Sequence, residues 1–168
     1  MKLWPIGYNN ISQRNTTFGS AKGIAHKEIL SKDLTPKAIA TICKEIKAAT
    51  GLNIDPEILT NDSFYRKFDG KREIVDCNIL NDEHSVRYYN DKNIPLRTEI
   101  YKSYPCPEQL ALTEVDEYSD KYSIFKYYDI FSGDISRVSF DLLSENNRNS
   151  QFLNFDIQNG EIIKIEKL

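Results

Sequence analysis

The sequence predicts an α+β fold: a C-terminal four-stranded antiparallel meander packed against N-terminal helices. Two observations carry this. The last third holds four runs rich in β-branched and aromatic residues, SIFKYYDIF, SRVSFDLL, QFLNFDI and EIIKIEKL, joined by SGD, SENNRNS and QNG. Further upstream, TPKAIATICKEIKAATG carries the clearest helical period in the chain. At 168 residues the chain fits one domain, with 1–60 mainly helical and 63–168 mainly antiparallel sheet. A chain this long buries enough surface to need no disulfide or metal staple.

In chain order, residues 9–20 (NNISQRNTTFGS) are polar and read as irregular, and 21–31 as a short helix weakened by Gly23. Thr35 is a good N-cap, and Pro36 follows at the position where its missing N–H costs nothing. Ile39, Ile42, Cys43, Ile46 and Ala49 form one apolar stripe. Gly51 ends the helix, with Leu52 placed to close a Schellman cap. Asp55-Pro56-Glu57 signals a second short helix. FYRKF, Asp69-Gly70 and REIVDCNIL read as a hairpin around a DG turn. SVRYY and LRTEIYKSY are weaker strands, the second open to a helical reading, and PEQLALTE suggests a helical turn.

Alternation sets the register of the meander, because a one-residue slip turns every side chain over. A three-residue Gln158-Asn159-Gly160 loop with a bulge at Gly160 gathers Leu153, Phe155, Ile157, Ile163 and Ile165 on one face. It is preferred to a two-residue Asn159-Gly160 loop, which pairs Ile157 with Ile162. The SGD hairpin gathers Ile124, Tyr128, Ile130, Val138, Phe140 and Leu142 and sets Asp129 opposite Arg137. Helix 35–50 is the cover for that face. The other face shows Phe125, Tyr127, Phe131, Phe152 and Ile162.

Net charge is −3, unevenly spread. Residues 1–50 hold eight basic and three acidic side chains, while 51–168 hold fourteen and twenty-two. The acidic part repels nucleic acid and attracts basic proteins. No apolar run approaches a membrane span, and MKLWPIGYNN lacks the apolar core of a signal peptide, so a cytoplasmic protein without a membrane partner is expected. Cys43, Cys77 and Cys106 are odd in number and far apart, which argues against a disulfide framework or zinc site.

No motif names a reaction. His26 near Lys22 lacks the spacing of a phosphate loop, and His84 beside Asp82 and Glu83 lacks further metal ligands. Cys43 on an apolar stripe reads as an inert thiol. Paired carboxylates abound, so no one pair is diagnostic. Neither catalytic residues nor a cofactor nor a metal is expected. The distinctive feature is EVDEYSDKYSIFKYYDIFSGD, residues 114–134, with four tyrosines, two phenylalanines and six acids. From Ser123 its aromatics keep a strand period. Glu114 to Tyr122 keeps none, and reads as an exposed loop.

With that acidic aromatic tract and no catalytic signature, the chain resembles the immunity proteins of bacterial toxin systems, including contact-dependent growth inhibition. The resemblance implies a partner, a cognate and basic nuclease toxin domain, neutralised by occlusion. Glu114, Asp116, Glu117 and Asp120 would face its lysines and arginines, with Tyr118 and Tyr122 as anchors. The alternative is a small carboxylate- or His-dependent hydrolase or nuclease, itself a toxin or a phage enzyme. A structural accessory protein that assembles with itself is a third.

Overall fold

The computed structural model describes residues 34–78, 83–102, 111–143 and 152–168. Helix α1 (Pro36–Thr50), a 3-10 turn (Pro56–Leu59) and helix α2 (Asn61–Lys67) come first. Strands β1 (Lys71–Asn78), β2 (Glu83–Tyr89), β3 (Pro95–Lys102), β4 (Ala111–Tyr118), β5 (Tyr122–Tyr128), β6 (Ile135–Leu142), β7 (Phe152–Gln158) and β8 (Glu161–Lys167) follow. They form one antiparallel sheet in sequence order. This overturns the expected four-stranded meander packed against N-terminal helices. The sheet has eight strands, and among the described residues only two short helices accompany it.

The added strands were hidden because their inward positions are charged or polar. In β3 the buried residues of one face are Arg97, Glu99 and Tyr101. In β4 they include Val115 and Glu117. An alternation of charged and aromatic residues is still a period of two, but it is not an apolar one. FYRKF lies mostly in α2 rather than in a hairpin, so Asp69-Gly70 joins a helix to β1. The expected helical turn at 107–114 is overturned at its end, since Ala111 opens β4. Residues 1–33 (with His26) and 103–110 (with Cys106) lie outside the described residues.

Helix α1 forms where its caps place it. The Thr35 side chain accepts from the Ala38 N–H, and Gly51 takes φ 76° while its N–H returns to the Lys47 carbonyl. Thr35 also joins the helix to the sheet: its hydroxyl donates to Glu161 at 2.8 Å and its N–H to the Gly160 carbonyl at 3.1 Å. Ala38, Ile42 and Ile46 are buried against the sheet, with Val138, Phe140, Leu153 and Phe155 in the same core. Each fully buried aliphatic contributes about 1.5–3 kcal/mol.

The last hairpin corrects the preferred register. Asn159 and Gly160, both at positive φ, make a two-residue turn, and Ile157 pairs with Ile162. The bulge exists, but within β8: Asp156 faces Lys164, leaving Ile163 as the extra residue. That shift restores Phe155 opposite Ile165. In the preceding hairpin Arg137 stands opposite Tyr127, not Asp129. Asp129 instead caps the turn, accepting from the Phe131 and Ser132 N–H groups, which lowers its pKa.

Candidate functional site

Strand β4 places its acids on two sides of the sheet. Glu114, Asp116 and Tyr118 face outward, while Val115 and Glu117 face the helices. The stretch expected as a loop is therefore mostly strand. Only Ser119 to Lys121 forms the turn, with Asp120 exposed there. Tyr122 opens β5 half-buried, with its ring 5.6 Å from that of Phe140. Of the six expected partner-binding residues, the outer face brings together Glu114, Asp116 and Tyr118. Glu117 and Tyr122 turn toward the core.

On the outer face, Glu114 stands opposite Tyr127 and Asp116 opposite Phe125. Asp116 Oδ2 accepts from the Tyr118 hydroxyl at 3.2 Å, whose oxygen in turn lies 3.1 Å from the Thr98 hydroxyl and accepts from it. Asp116 Oδ1 is buried and receives no ordinary N–H or O–H donor. The Glu114 carboxyl is within hydrogen-bonding reach of Asp116. Burial first, and Asp116 second, push Glu114 up to about 7. Burial likewise raises Asp116, Tyr118 and Tyr127. Beyond Tyr127 the face continues as a polar recess across β5–β7, where Arg137 pairs with Asp156 at 2.8 Å and Ser139 donates to Asn154 at 2.6 Å.

The inner face carries what the sequence reading missed, a buried ionic cluster under α2. The Arg97 guanidinium donates to Glu99 Oε1 at 2.9 Å, to Glu117 Oε1, to Asn61 Oδ1 at 2.7 Å and to the Tyr65 hydroxyl at 3.1 Å. It also lies 4.6 Å from the Phe64 ring centroid. Burial alone would push Arg97 down, but Glu117 and Glu99 reverse this and hold it above its ordinary value. Lys126 Nζ donates to Glu117 Oε1 at 3.2 Å, Asn61 Oδ1 at 3.0 Å and the Ile58 carbonyl at 3.1 Å. Glu99 accepts from Tyr65, Tyr88 and Tyr101 as well as Arg97. Two cations thus face two carboxylates, and α2 is fixed to β3–β5 by polar contacts in a dry interior. The sequence signal was a period of two in LRTEIYK, with Arg97, Glu99 and Tyr101 at the inward positions.

Cys43 is half-buried on α1 and burial raises its thiol, which fits an inert side chain. Among the described residues, no three His, Cys, Asp or Glu side chains converge as metal ligands. No helix among them is long and apolar enough to cross a membrane. Compared with known proteins, the chain matches no family model, no curated protein and no solved structure.

Proposed function

We propose that this chain is a binding protein of the immunity type, which holds a basic toxin domain against the outer face of β4 and β5. The observation that supports the reading is the Glu114–Asp116 pair on the outer face, two carboxyls in hydrogen-bonding reach of each other. Two carboxylates this close repel each other, and an incoming guanidinium or ammonium at the outer face relieves that repulsion. Phe125 and Tyr127 stand opposite the two acids and supply rigid contact area around the charge. The binding role passes from the six expected residues to Glu114, Asp116 and Tyr118 with these two aromatics.

The same pair invites a hydrolase reading, since a carboxyl titrating near neutrality beside an ionised one suits acid–base work. The spacing disfavours glycoside hydrolysis. Carboxyls in hydrogen-bonding reach of one another are closer than the ~5 Å or more that leaves room for a glycosidic bond.

The test is co-expression with the product of the adjacent reading frame. An immunity protein relieves that product's toxicity and co-purifies with it. The Glu114→Lys/Asp116→Lys variant then weakens binding by a factor of about ten or more, and added salt weakens the wild-type complex. A neighbouring product that neither arrests growth nor binds this chain removes the reading.

A further inference from the structure

A cleft of ≈ 400 Å³ opens between α2 with its preceding turn and the loop joining β2 to β3. Its lining joins α2 and Glu117 with Tyr118, which also bonds Asp116. Phe64, Phe68 and Leu96 give it apolar walls. Asp55, Asp69 and Asp91 stand around it, and the one lysine of its lining, Lys67, is already paired with Glu57. A rim of this charge excludes anions and concentrates cations.

Acids at a rim do not make a site, but the floor adds an independent feature. Glu117 reaches the cleft with a side chain only 4% exposed. Its side-chain hydrogen bonds and ion pairs, from Arg97 and Lys126, all fall on Oε1. Glu99, by contrast, has both oxygens engaged. Among the described residues Oε2 of Glu117 thus receives no hydrogen bond or ion pair, on a residue that lines the cleft. Arg97 and Lys126 meet the carboxyl at its other oxygen. A metal ion is a poor occupant, because no three ligating side chains converge among the described residues.

We propose that this cleft binds an ammonium or guanidinium group on an apolar stem, the cation donating to Glu117 Oε2 and the stem packing on Phe64, Phe68 and Leu96. The cation comes either from a free small organic molecule or from the lysine or arginine side chain of another protein. The proposal does not depend on the immunity reading, which rests on Glu114 and Asp116.

The experiment is a titration of the isotope-labelled full chain with n-butylguanidinium, followed by amide chemical shifts. Saturable shifts confined to the amides of Phe64, Phe68, Leu96 and Tyr118, with a dissociation constant on the order of 1 mM, are expected for so small a ligand. Tetramethylammonium has no N–H to donate and should bind at least about tenfold more weakly. Leu96→Trp fills the cleft while removing no side chain of the ionic cluster and should abolish saturation. Glu117→Gln should weaken binding about tenfold or more, and Leu96→Trp keeps the test decisive if that variant does not fold. No saturation by about 50 mM, equal binding of tetramethylammonium, or unchanged binding to Leu96→Trp overturns the proposal. Once the site is established, N-acetyl-arginine-N-methylamide distinguishes the source. Binding as tight as n-butylguanidinium points to a protein side chain, and much weaker binding to a free small cation.

Discussion

Glu114 and Glu117 lie three residues apart on one strand, and their carboxyls are on opposite sides of the sheet in opposite electrostatic situations. Glu117 is held by Arg97 and Lys126, whereas Glu114 meets a second carboxylate. The acidity that marks this stretch in the sequence is therefore two unrelated features. One fixes α2 to the sheet, and the other is an unneutralised pair facing outward.

That pair fixes the sign of a pH dependence. Glu114 ionises near 4.5 in the unfolded chain and near 7 in the folded protein. Between these values the folded state holds more protons, so its contribution is complete below 4.5 and is lost as pH rises through 7. Much of the group faces water, and screening reduces the effect to about 1 kcal/mol. Glu114→Gln should therefore stabilise the protein at pH 8 and flatten the dependence between 4.5 and 7. Urea midpoints of both proteins across this range check it. A wild-type slope that persists in the variant would place the titration elsewhere.

The inner cluster gives the opposite expectation. Arg97→Met leaves Glu99 and Glu117 facing each other in the core with three tyrosine hydroxyls still donating to Glu99. Removing one partner of a buried ion pair costs about 3–5 kcal/mol, because an uncompensated charge stays behind. Equilibrium urea unfolding measures this. A loss below about 1 kcal/mol would show that water reaches the glutamates.

These two sites also mark how far the sequence could be read. Helix α1 was legible because Thr35, Pro36, the apolar stripe and Gly51 all act locally. So were β5 to β8, where apolar residues mostly occupy the inner face. In β3 and β4 the inner positions are Arg97, Glu99, Val115 and Glu117. Their burial is made tolerable by Asn61 and Tyr65 of α2, at least 32 residues away in sequence from Arg97. No local period records such a pairing, so β3 reads as a weak strand open to a helical reading and Glu114 to Tyr122 as a loop. Tyr118 and Tyr122 show the same limit. Composition marked both as anchors, and only register separates the outward-facing one from the core-facing one.

Two glycines should rank against the expectation from backbone angle alone. Gly51 has φ 76° with open space around a would-be Cβ, so Gly51→Ala costs only the left-handed strain, about 1 kcal/mol. Gly70 has no such angle, but a Cβ there would overlap the Tyr89 carbonyl oxygen and meet the Phe68 ring at 2.9 Å. Gly70→Ala must move backbone between α2 and β1 and should cost about 2 kcal/mol or more. Thermal melts of the two variants give the order directly, and a less stable Gly51→Ala would contradict the packing at Gly70.

Tyr118 and Tyr122 can be separated by the same logic of faces. Tyr122 packs on Phe140 against the core, and its truncation should lower stability by about 2 kcal/mol, since only half the ring is buried. For a domain of this size that is a fall of roughly 5 °C in Tm. Tyr118→Ala removes hydrogen bonds to Thr98 and Asp116 on the outer face and should cost about 1 kcal/mol or less. The Tyr118 change should instead weaken the complex with the basic partner, because it strips a donor and contact area from beside the acid pair. Melting curves and partner affinity measured together decide it. If Tyr122→Ala leaves Tm unchanged and abolishes binding, Tyr122 belongs to the partner surface and the inward assignment is wrong.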